Sequence, residues 1–284
     1  MRPMNYRHAF HAGNFADVVK HATLARVIAY LKEKPAAFRV IDTHAGAGLY
    51  DLGGPEASRT GEWREGIGKL LDAALAPALR ELLAPYLDAV ASFNPAGLRT
   101  YPGSPALVRA WLRRQDRVIA CEREPGAARA LVARMRADAR VKAVAIDGYT
   151  ALNAYVPPKE RRGLVLVDPP FEQADEFDRL GNALAAAHRK WPTGIYMLWY
   201  PIKDAHATLA FSRRLARLGI PRILRAELER GGARNPLRLA GSGLILVNPP
   251  WRLEAELALL LPGLAQALGA GRHGARVDWL AGES

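Results

Sequence analysis

Apolar residues recur along the chain in short runs, separated by longer stretches with leucine and alanine at three- and four-residue intervals. Short continuous apolar runs are typical of strands buried on both faces, and the longer pattern is typical of helices that cover them. The runs are Phe38–Asp42, Arg117–Cys121, Val141–Ile146, Gly163–Val167, Gly194–Tyr200, Pro221–Ala226 and Leu244–Val247, and a helix over Leu253–Leu261 follows the last one. The alternation predicts an α/β class I (Rossmann-like) sheet of seven strands in a single domain, residues 1–284.

Residues 53–100 interrupt this alternation. Where a plain fold needs one helix and a turn before Arg117, the chain has two clusters of leucine and alanine at helical spacing. The clusters are Ile67–Leu83 and Tyr86–Phe93, and the turn-forming segments Gly53–Pro55 and Asn94–Gly97 bound them. We therefore expect a helical insertion at 53–100, which either shapes access to a site at the strand ends or only packs against the domain.

The N-terminal stretch combines an arm with a predicted helix. Over Asp17–Leu31 the apolar spacing predicts an amphipathic helix that leads into the first strand, with Lys20 and His21 on its first turn. The arm before it is rich in tyrosine, histidine and arginine, side chains suited to covering a nucleotide and contacting phosphates. His8, His11 and His21 are candidate zinc ligands, but no matching Cys or His cluster follows, so we predict no metal.

Polar residues follow four of the predicted strands. The first strand runs into His44 and the turn Gly46–Gly48, whose glycines let the backbone approach a ligand closely. This turn lacks the third glycine of the dinucleotide pattern, which disfavours a nicotinamide cofactor. Glu122 ends the second strand, where an acid can hold two ribose hydroxyls, and Asp147–Gly148 follow the third, where an adenine edge can bind. Asp168 ends the fourth, and this order is the one expected of an S-adenosylmethionine site.

The fourth strand leads into Asp168–Phe171, which is similar to the tetrapeptide with which methyltransferases hold a planar exocyclic amine. Asp168 is suited to accept one N–H and a carbonyl of the Pro169–Pro170 pair the other, while Phe171 offers a ring on which an extruded base can stack. Asn248–Trp251 competes for this role after the seventh strand. That strand lies antiparallel near an edge in this topology, so its end points away from the donor, and we assign Asn248–Trp251 to structure.

Charge and composition narrow the class of protein. The formal net charge is +12, and Arg213–Arg238 contains eight arginines against two glutamates. A phosphate-tracking surface and a solvated helix face explain this segment about equally well. Arginine outnumbers lysine by 32 to 8, a bias that genome base composition also produces.

The sequence also indicates where the protein is located. No run approaches the ~20 apolar residues of a membrane span, and no signal peptide is evident. The single Cys121 cannot form an internal disulfide, so we expect a soluble cytoplasmic protein.

Five motifs together carry a family resemblance. They are Tyr6–His21, Asp42–Gly48, Tyr101–Pro105, Leu198–Pro201 and Asn248–Trp251. They resemble the RlmJ family, the large-subunit ribosomal RNA adenine-N6 methyltransferases, and the likeness extends from Tyr6 to Trp279. The resemblance implies S-adenosylmethionine as cofactor, 23S ribosomal RNA as partner, and methyl transfer to the N6 amine of one adenine.

The resemblance also implies roles for individual residues. The family's donor-binding residues match His21, His44, Ser104, Glu122, Asp147, Gly148 and Asp168. Asp168 matches the catalytic position as well, and Tyr6 matches an arm tyrosine that meets the RNA. By its position Ser104 is also expected to be a helix N-cap. The family more often has tyrosine where this chain has Phe171, a change that leaves stacking intact.

Two other classes of protein stay open. A DNA adenine-N6 methyltransferase would share the tetrapeptide and the charge, although no helix-turn-helix or target-recognition domain is evident in the sequence. A non-catalytic RNA-binding module would keep the arginine-rich face but would need no donor site. For the favoured class we expect a monomer without a membrane or metal partner.

Overall fold

The computed structural model describes residues 7–230, 239–270 and 274–282. The strands are β1 (Arg39–Asp42), β2 (Leu49–Asp51), β3 (Thr100–Pro102), β4 (Arg117–Glu122), β5 (Val141–Ala145), β6 (Gly163–Val167), β7 (Ile195–Ile202), β8 (Ile223–Glu229), β9 (Gly241–Val247) and β10 (Ala275–Ala281). The helices are α1 (Phe15–Glu33), α2 (Pro55–Thr60), α3 (Ile67–Asp72), α4 (Pro77–Ser92), α5 (Ser104–Trp111), α6 (Pro125–Met135), α7 (Gly148–Tyr155), α8 (Glu176–Lys190), α9 (Ala205–Ala216) and α10 (Leu253–Ala267). Tyr6 lies outside the described residues. No helix within the described ranges is long and apolar enough to cross a membrane.

Eight strands form one mixed sheet in the order β10-β8-β9-β7-β6-β1-β4-β5. The strands from β7 to β5 in this order run parallel, whereas β9 is antiparallel to both β7 and β8, and β10 is antiparallel to β8. The predicted α/β fold class is confirmed, and all seven predicted strands lie in the sheet. The count of seven was short by one, because β10 is a partly exposed edge strand without a continuous apolar run.

The carboxyl ends of four parallel strands meet at one edge of the sheet. The chain leaves β1 towards β4 and β5 and then crosses back to β6 on the other side of β1. In register, Asp42 at the end of β1 lies opposite Ala120 of β4 and Leu166 of β6. The change of direction between β1 and β6 creates a crevice outside the strand ends, which is where open α/β sheets bind ligands.

Helix α1 is enclosed rather than amphipathic. Its N-cap is Asn14, whose side chain accepts a hydrogen bond from the Asp17 N–H. Every residue over 15–25 is buried, because α4, α5, α10 and strand β9 pack around the helix. The expectation of an amphipathic helix was therefore wrong for its N-terminal half. Lys20 and His21 lie on the second turn, inside the protein.

Segment 53–100 is largely helical and contains α2, α3 and α4. The antiparallel pair of β2 and β3 brings its two ends together, with Tyr50 opposite Tyr101. Helix α4 continues through Pro85, so the predicted break before Tyr86 was wrong, and the helices separate at 73–76 instead. Because α4 packs on α1, α5 and α10, the segment is part of the wall of the main core. Its status as an insertion stays a prediction.

Asn248 has a structural role at the opposite edge of the sheet. Strand β9 ends at Val247, which pairs with Tyr196 near the start of β7. Asn248 has a left-handed φ of 52°, and its side-chain amide donates to the carbonyls of Pro192 at 2.7 Å and Gly194 at 2.8 Å. These contacts of Asn248 support the assignment of Asn248–Trp251 to structure, which stays a prediction.

Candidate active site

A cavity of about 1100 Å³ opens at the carboxyl edge of the sheet. The predicted site residues that line it are His21, His44, Ser104, Glu122, Asp147, Gly148, Asp168, Pro169 and Pro170. They come from α1, from the last residue of β4, from the residues after β1, β5 and β6, and from the start of α5. Ligand pockets commonly measure about 300–1000 Å³, so this cavity has room for a cofactor and part of a second ligand.

A buried lysine fixes the carboxylate of Asp168. The Oδ2 atom of Asp168 accepts from Nζ of Lys20, which also pairs with Oδ1 of Asp17 at 2.8 Å. Burial opposes the charge of Lys20, whose side chain is 5% exposed, but Asp168 and Asp17 outweigh it and raise the pKa of Lys20. Among the described residues, Oδ1 of Asp168 has no hydrogen-bond partner, so it is available to a ligand.

Asp17 anchors this lysine from the other side. Its Oδ2 accepts from the Gly13 N–H at 2.9 Å and lies 3.0 Å from Nε2 of His8. Burial opposes the ionisation of Asp17, yet His8 and Lys20 hold its pKa well below the ordinary value. Sequence reasoning did not assign Lys20 or Asp17 to the site. The available signal was the acid and the base three residues apart at the start of a helix.

The first three residues of the tetrapeptide Asp168–Phe171 line the cavity, and Phe171 packs beside it. Pro169 and Pro170 line the cavity together with Asp168. Phe171 has a left-handed φ of 50°, and its ring packs edge-on against Phe177 and Trp199, with centroids 5.0 and 5.9 Å away. In the part of the chain that the structure describes, Phe171 is not a cavity-lining residue. Its stacking on a base stays a prediction.

The backbone holds Glu122 at the end of β4. Its Oε2 accepts from the Gly46 N–H at 2.8 Å, and its Oε1 accepts from the Glu124 N–H at 2.7 Å. Gly46 has a φ of 62°, and a Cβ there would lie 2.1 Å from the Tyr50 hydroxyl. These contacts fix the carboxylate, and each oxygen keeps a lone pair with which it can accept from a hydroxyl.

Asp147 and Gly148 form the start of α7. The Asp147 side chain caps the helix by accepting from the Thr150 N–H at 3.0 Å. Burial opposes this charge, but the bonds from Thr150 lower the pKa of Asp147. A Cβ on Gly148 would lie 2.5 Å from the ring of His44, so only glycine lets the helix approach β1 this closely.

Ser104 is bonded to a buried acid instead of capping its helix. It is the first residue of α5, and Gly103 is the N-cap, so the N-cap expectation was wrong. The Ser104 hydroxyl donates to Oδ2 of Asp42 at 2.7 Å. Asp42 is fully buried, its Oδ1 has no partner among the described residues, and burial raises its pKa to about 7 against the effect of the Ser104 bond.

Two histidines, the buried His21 and the half-buried His44, line the cavity in their neutral form. Burial lowers the pKa of His44 to about 4 and that of His21 to about 3. Nδ1 of His21 lies 2.7 Å from the Tyr101 hydroxyl, whereas Nε2 has no partner within the described ranges. His8 pairs with an aspartate and His11 with a glutamate, so the three candidate zinc ligands have separate partners. The described residues contain no group of three metal-ligand side chains.

The sheet topology, the glycine turn after β1 and the acids at the ends of β4, β5 and β6 define a class I methyltransferase fold. The family model "Ribosomal RNA large subunit methyltransferase D, RlmJ" matches residues 35–281. The chain belongs to this RlmJ family.

The chain is similar in sequence to named relatives over nearly its full length. The chain is 40% identical to "Ribosomal RNA large subunit methyltransferase J" of Escherichia coli (strain K12) over 282 residues, 99% of this chain and 100% of that protein. The Haemophilus influenzae protein of the same name is 37% identical, again over 99% of this chain and 100% of the relative. A crystal structure of a Legionella pneumophila protein is similar with a TM-score of 0.84 and 33% identity, covering 94% of this chain and 97% of the other.

Proposed function

We propose that this protein transfers a methyl group from S-adenosylmethionine to the N6 amine of an adenine in 23S ribosomal RNA. The observation that carries the proposal is the carboxylate of Asp168, which Lys20 holds in a cavity that also contains Glu122 and Gly148. Membership of the RlmJ family supports ribosomal RNA as the substrate class.

The residues at the strand ends fit such a methyl donor. In the order β6-β1-β4-β5, Asp147 and Gly148 suit the adenine at one end of the cavity, and Glu122 suits the ribose hydroxyls next to it. The amino-acid end then lies towards α1, where the unpartnered Nε2 of buried His21 provides a polar contact. When bound, the donor supplies an activated methyl group on a positively charged sulfur.

The residues of this chain contribute orientation. Oδ1 of Asp168 accepts one N–H of the adenine amine, and the carbonyl of Pro169 or Pro170 accepts the other, so that the nitrogen lone pair faces the methyl group. Lys20 prevents Asp168 from rotating away, because it is itself held by Asp17. No strong base is required, since the amine loses its proton to water after methylation.

The arm is suited to hold the RNA at the mouth of the cavity. Arg7 lines the cavity and its guanidinium donates to Glu56 of α2 at 2.6 Å, which ties the arm to segment 53–100. The residue before it is Tyr6, which in this function contacts the target nucleotide. The size of the cavity supports an extruded nucleotide beside the donor.

Methylation assays on two matched variants test the proposal. With labelled S-adenosylmethionine, the wild type should methylate 23S ribosomal RNA in preference to duplex DNA, and mass spectrometry should find the label on an adenine N6. Asp168→Ala should lower the rate at least about 100-fold, because the orienting acceptor is lost. Asn248→Gly is the control, since glycine adopts the left-handed φ of 52° and the site is at the other edge.

Different failures identify different alternatives. Equal loss of activity in both variants would show that Asp168–Phe171 does not have the proposed role. Preference for DNA would favour a DNA adenine methyltransferase. Binding of RNA without any binding of S-adenosylmethionine in calorimetry would leave only the RNA-binding module.

A further inference from the structure

A buried chain of hydrogen bonds leads from segment 53–100 to the cavity. The hydroxyl oxygens of Tyr86 and Tyr101 lie 3.0 Å apart, and the Tyr101 hydroxyl lies 2.7 Å from Nδ1 of His21. The rings of His21 and Tyr101 stack with centroids 5.7 Å apart and an interplanar angle of 28°. His21 is 1% exposed and both tyrosines are 0% exposed, so water does not compete for these bonds.

The acidities of the groups determine which one donates in each of these hydrogen bonds. A phenol has an ordinary pKa of about 10 and is a much stronger acid than a neutral imidazole N–H, so it is the better donor of the two. Tyr101 therefore donates to Nδ1 of His21 and accepts from Tyr86. Burial keeps the imidazole neutral, with a pKa of about 3. A neutral ring that accepts at Nδ1 carries its hydrogen on Nε2, because the bond made by one nitrogen determines the state of the other.

The Nε2 atom is then a buried donor without a partner among the described residues, and it belongs to a residue that lines the cavity. A buried donor that stays unsatisfied costs about 1–3 kcal/mol, so a ligand that supplies an acceptor there gains affinity. His21 lies beside Lys20 on α1, and Asp147 and Gly148, which suit the adenine, lie after β5. The part of an S-adenosylmethionine molecule nearest His21 is therefore its amino-acid end, whose acceptor is the carboxylate.

We propose that Tyr86 and Tyr101 are positioning residues that fix His21 as its Nε2–H tautomer, which donates a hydrogen bond to the carboxylate of the methyl donor. The second half of this inference rests on the proposed function. It gives segment 53–100 a specific role, because Tyr86 lies on α4 and Tyr101 on β3, where the chain returns to the main sheet. Through Tyr86, the segment helps to hold the His21 side chain of the cofactor site in place.

The tautomer is measured directly by nitrogen NMR of protein labelled with ¹⁵N-histidine, without any ligand. The His21 signals are assigned by their loss in His21→Gln. The wild type should show a protonated Nε2 and an unprotonated Nδ1, and Tyr101→Phe should show a mixture of tautomers. A protonated Nδ1 in the wild type, or the same single tautomer in Tyr101→Phe, would overturn the inference.

Donor affinity is measured by calorimetry with two probes. S-adenosylhomocysteine has the amino-acid end, and 5′-methylthioadenosine lacks it. Tyr101→Phe should weaken binding of the first about two- to tenfold and leave the second unchanged. Tyr86→Phe, which removes only the outer bond, should have a smaller effect in the same direction.

Tyr196→Phe is the matched control for lost stability. The Tyr196 hydroxyl is equally buried but donates to the carbonyls of Ala187 at 3.0 Å and Trp191 at 2.8 Å, away from the cavity. If Tyr101→Phe and Tyr196→Phe weaken S-adenosylhomocysteine alike, the role of Tyr101 is structural and the inference fails. If the wild type binds neither probe, the proposed function fails, while the NMR result still decides the tautomer.

Discussion

The buried carboxyl of Asp42 should make the stability of the fold depend on pH. Asp42 ends β1, is fully buried, and has one oxygen without a partner among the described residues. Burial raises its pKa from 3.8 to about 7, with the Ser104 bond and Lys20 opposing the rise and Asp168 adding to it. Asn is the informative replacement, because its amide oxygen can still accept from Ser104 and it cannot ionise.

The sign and the size of the change in stability with pH follow from the difference in proton binding between the folded and the unfolded protein. Between about pH 4 and pH 7 the folded protein keeps a proton on Asp42 that the unfolded chain releases, so stability falls as the pH rises through this window. Above pH 7 the loss is complete and stays constant. From pH 5 to pH 8 the change covers the two units below the folded pKa, at about 1.4 kcal/mol per unit, which gives roughly 2–3 kcal/mol.

Urea unfolding of the ligand-free wild type and of Asp42→Asn at pH 5 and pH 8 tests this. The free energy of unfolding of the variant minus that of the wild type should increase by roughly 2–3 kcal/mol from pH 5 to pH 8. His21 and His44 have folded pKa values of about 3 and 4, so both proteins lose stability as the pH falls below about 6.5, and the subtraction cancels this. The part of the difference in unfolding free energy that is the same at both pH values reports only the change in packing. A difference that does not change between the two pH values would refute a raised Asp42 pKa.

Three further substitutions address the cofactor site and the arm. Glu122→Ala should weaken donor binding in calorimetry by about ten- to a hundredfold, since charge-assisted hydrogen bonds contribute roughly 1.5–3 kcal/mol, and unchanged affinity would remove Glu122 from the site. Gly148→Ala should cost about 1–3 kcal/mol of stability through its contact with His44, whereas Gly282→Ala, with nothing within 4 Å, should leave the melting temperature unchanged. Equal melting temperatures of these two variants would contradict the close approach. Tyr6→Ala should slow RNA methylation at unchanged donor affinity, and a fully active variant would exclude the arm contact.

The edge of the sheet that carries the site was predictable because its signal is local. The apolar runs before Glu122, Asp147 and Asp168 end within one residue of the ends of their strands. Because parallel strands end at one edge of the sheet, these three acids had to come together. Strand β10 escaped detection because an edge strand needs no continuous apolar run. The actual partner of Ser104 was also hidden, since it is Asp42, 62 positions earlier in the chain.

The roles of Lys20 and His21 depended on a contact that no local pattern contains. Taken alone, α1 has apolar residues at helical spacing and a charged residue on its second turn, which is what a surface helix shows. It is buried because α4, from segment 53–100, and α10 cover the side that would otherwise face solvent. A lysine enclosed in this way remains charged only beside carboxylates, and Asp17 and Asp168 supply them. The helices that enclose α1 therefore also produce the arrangement that holds Asp168 in place, so the chemistry at the end of β6 depends on packing contributed by distant parts of the chain.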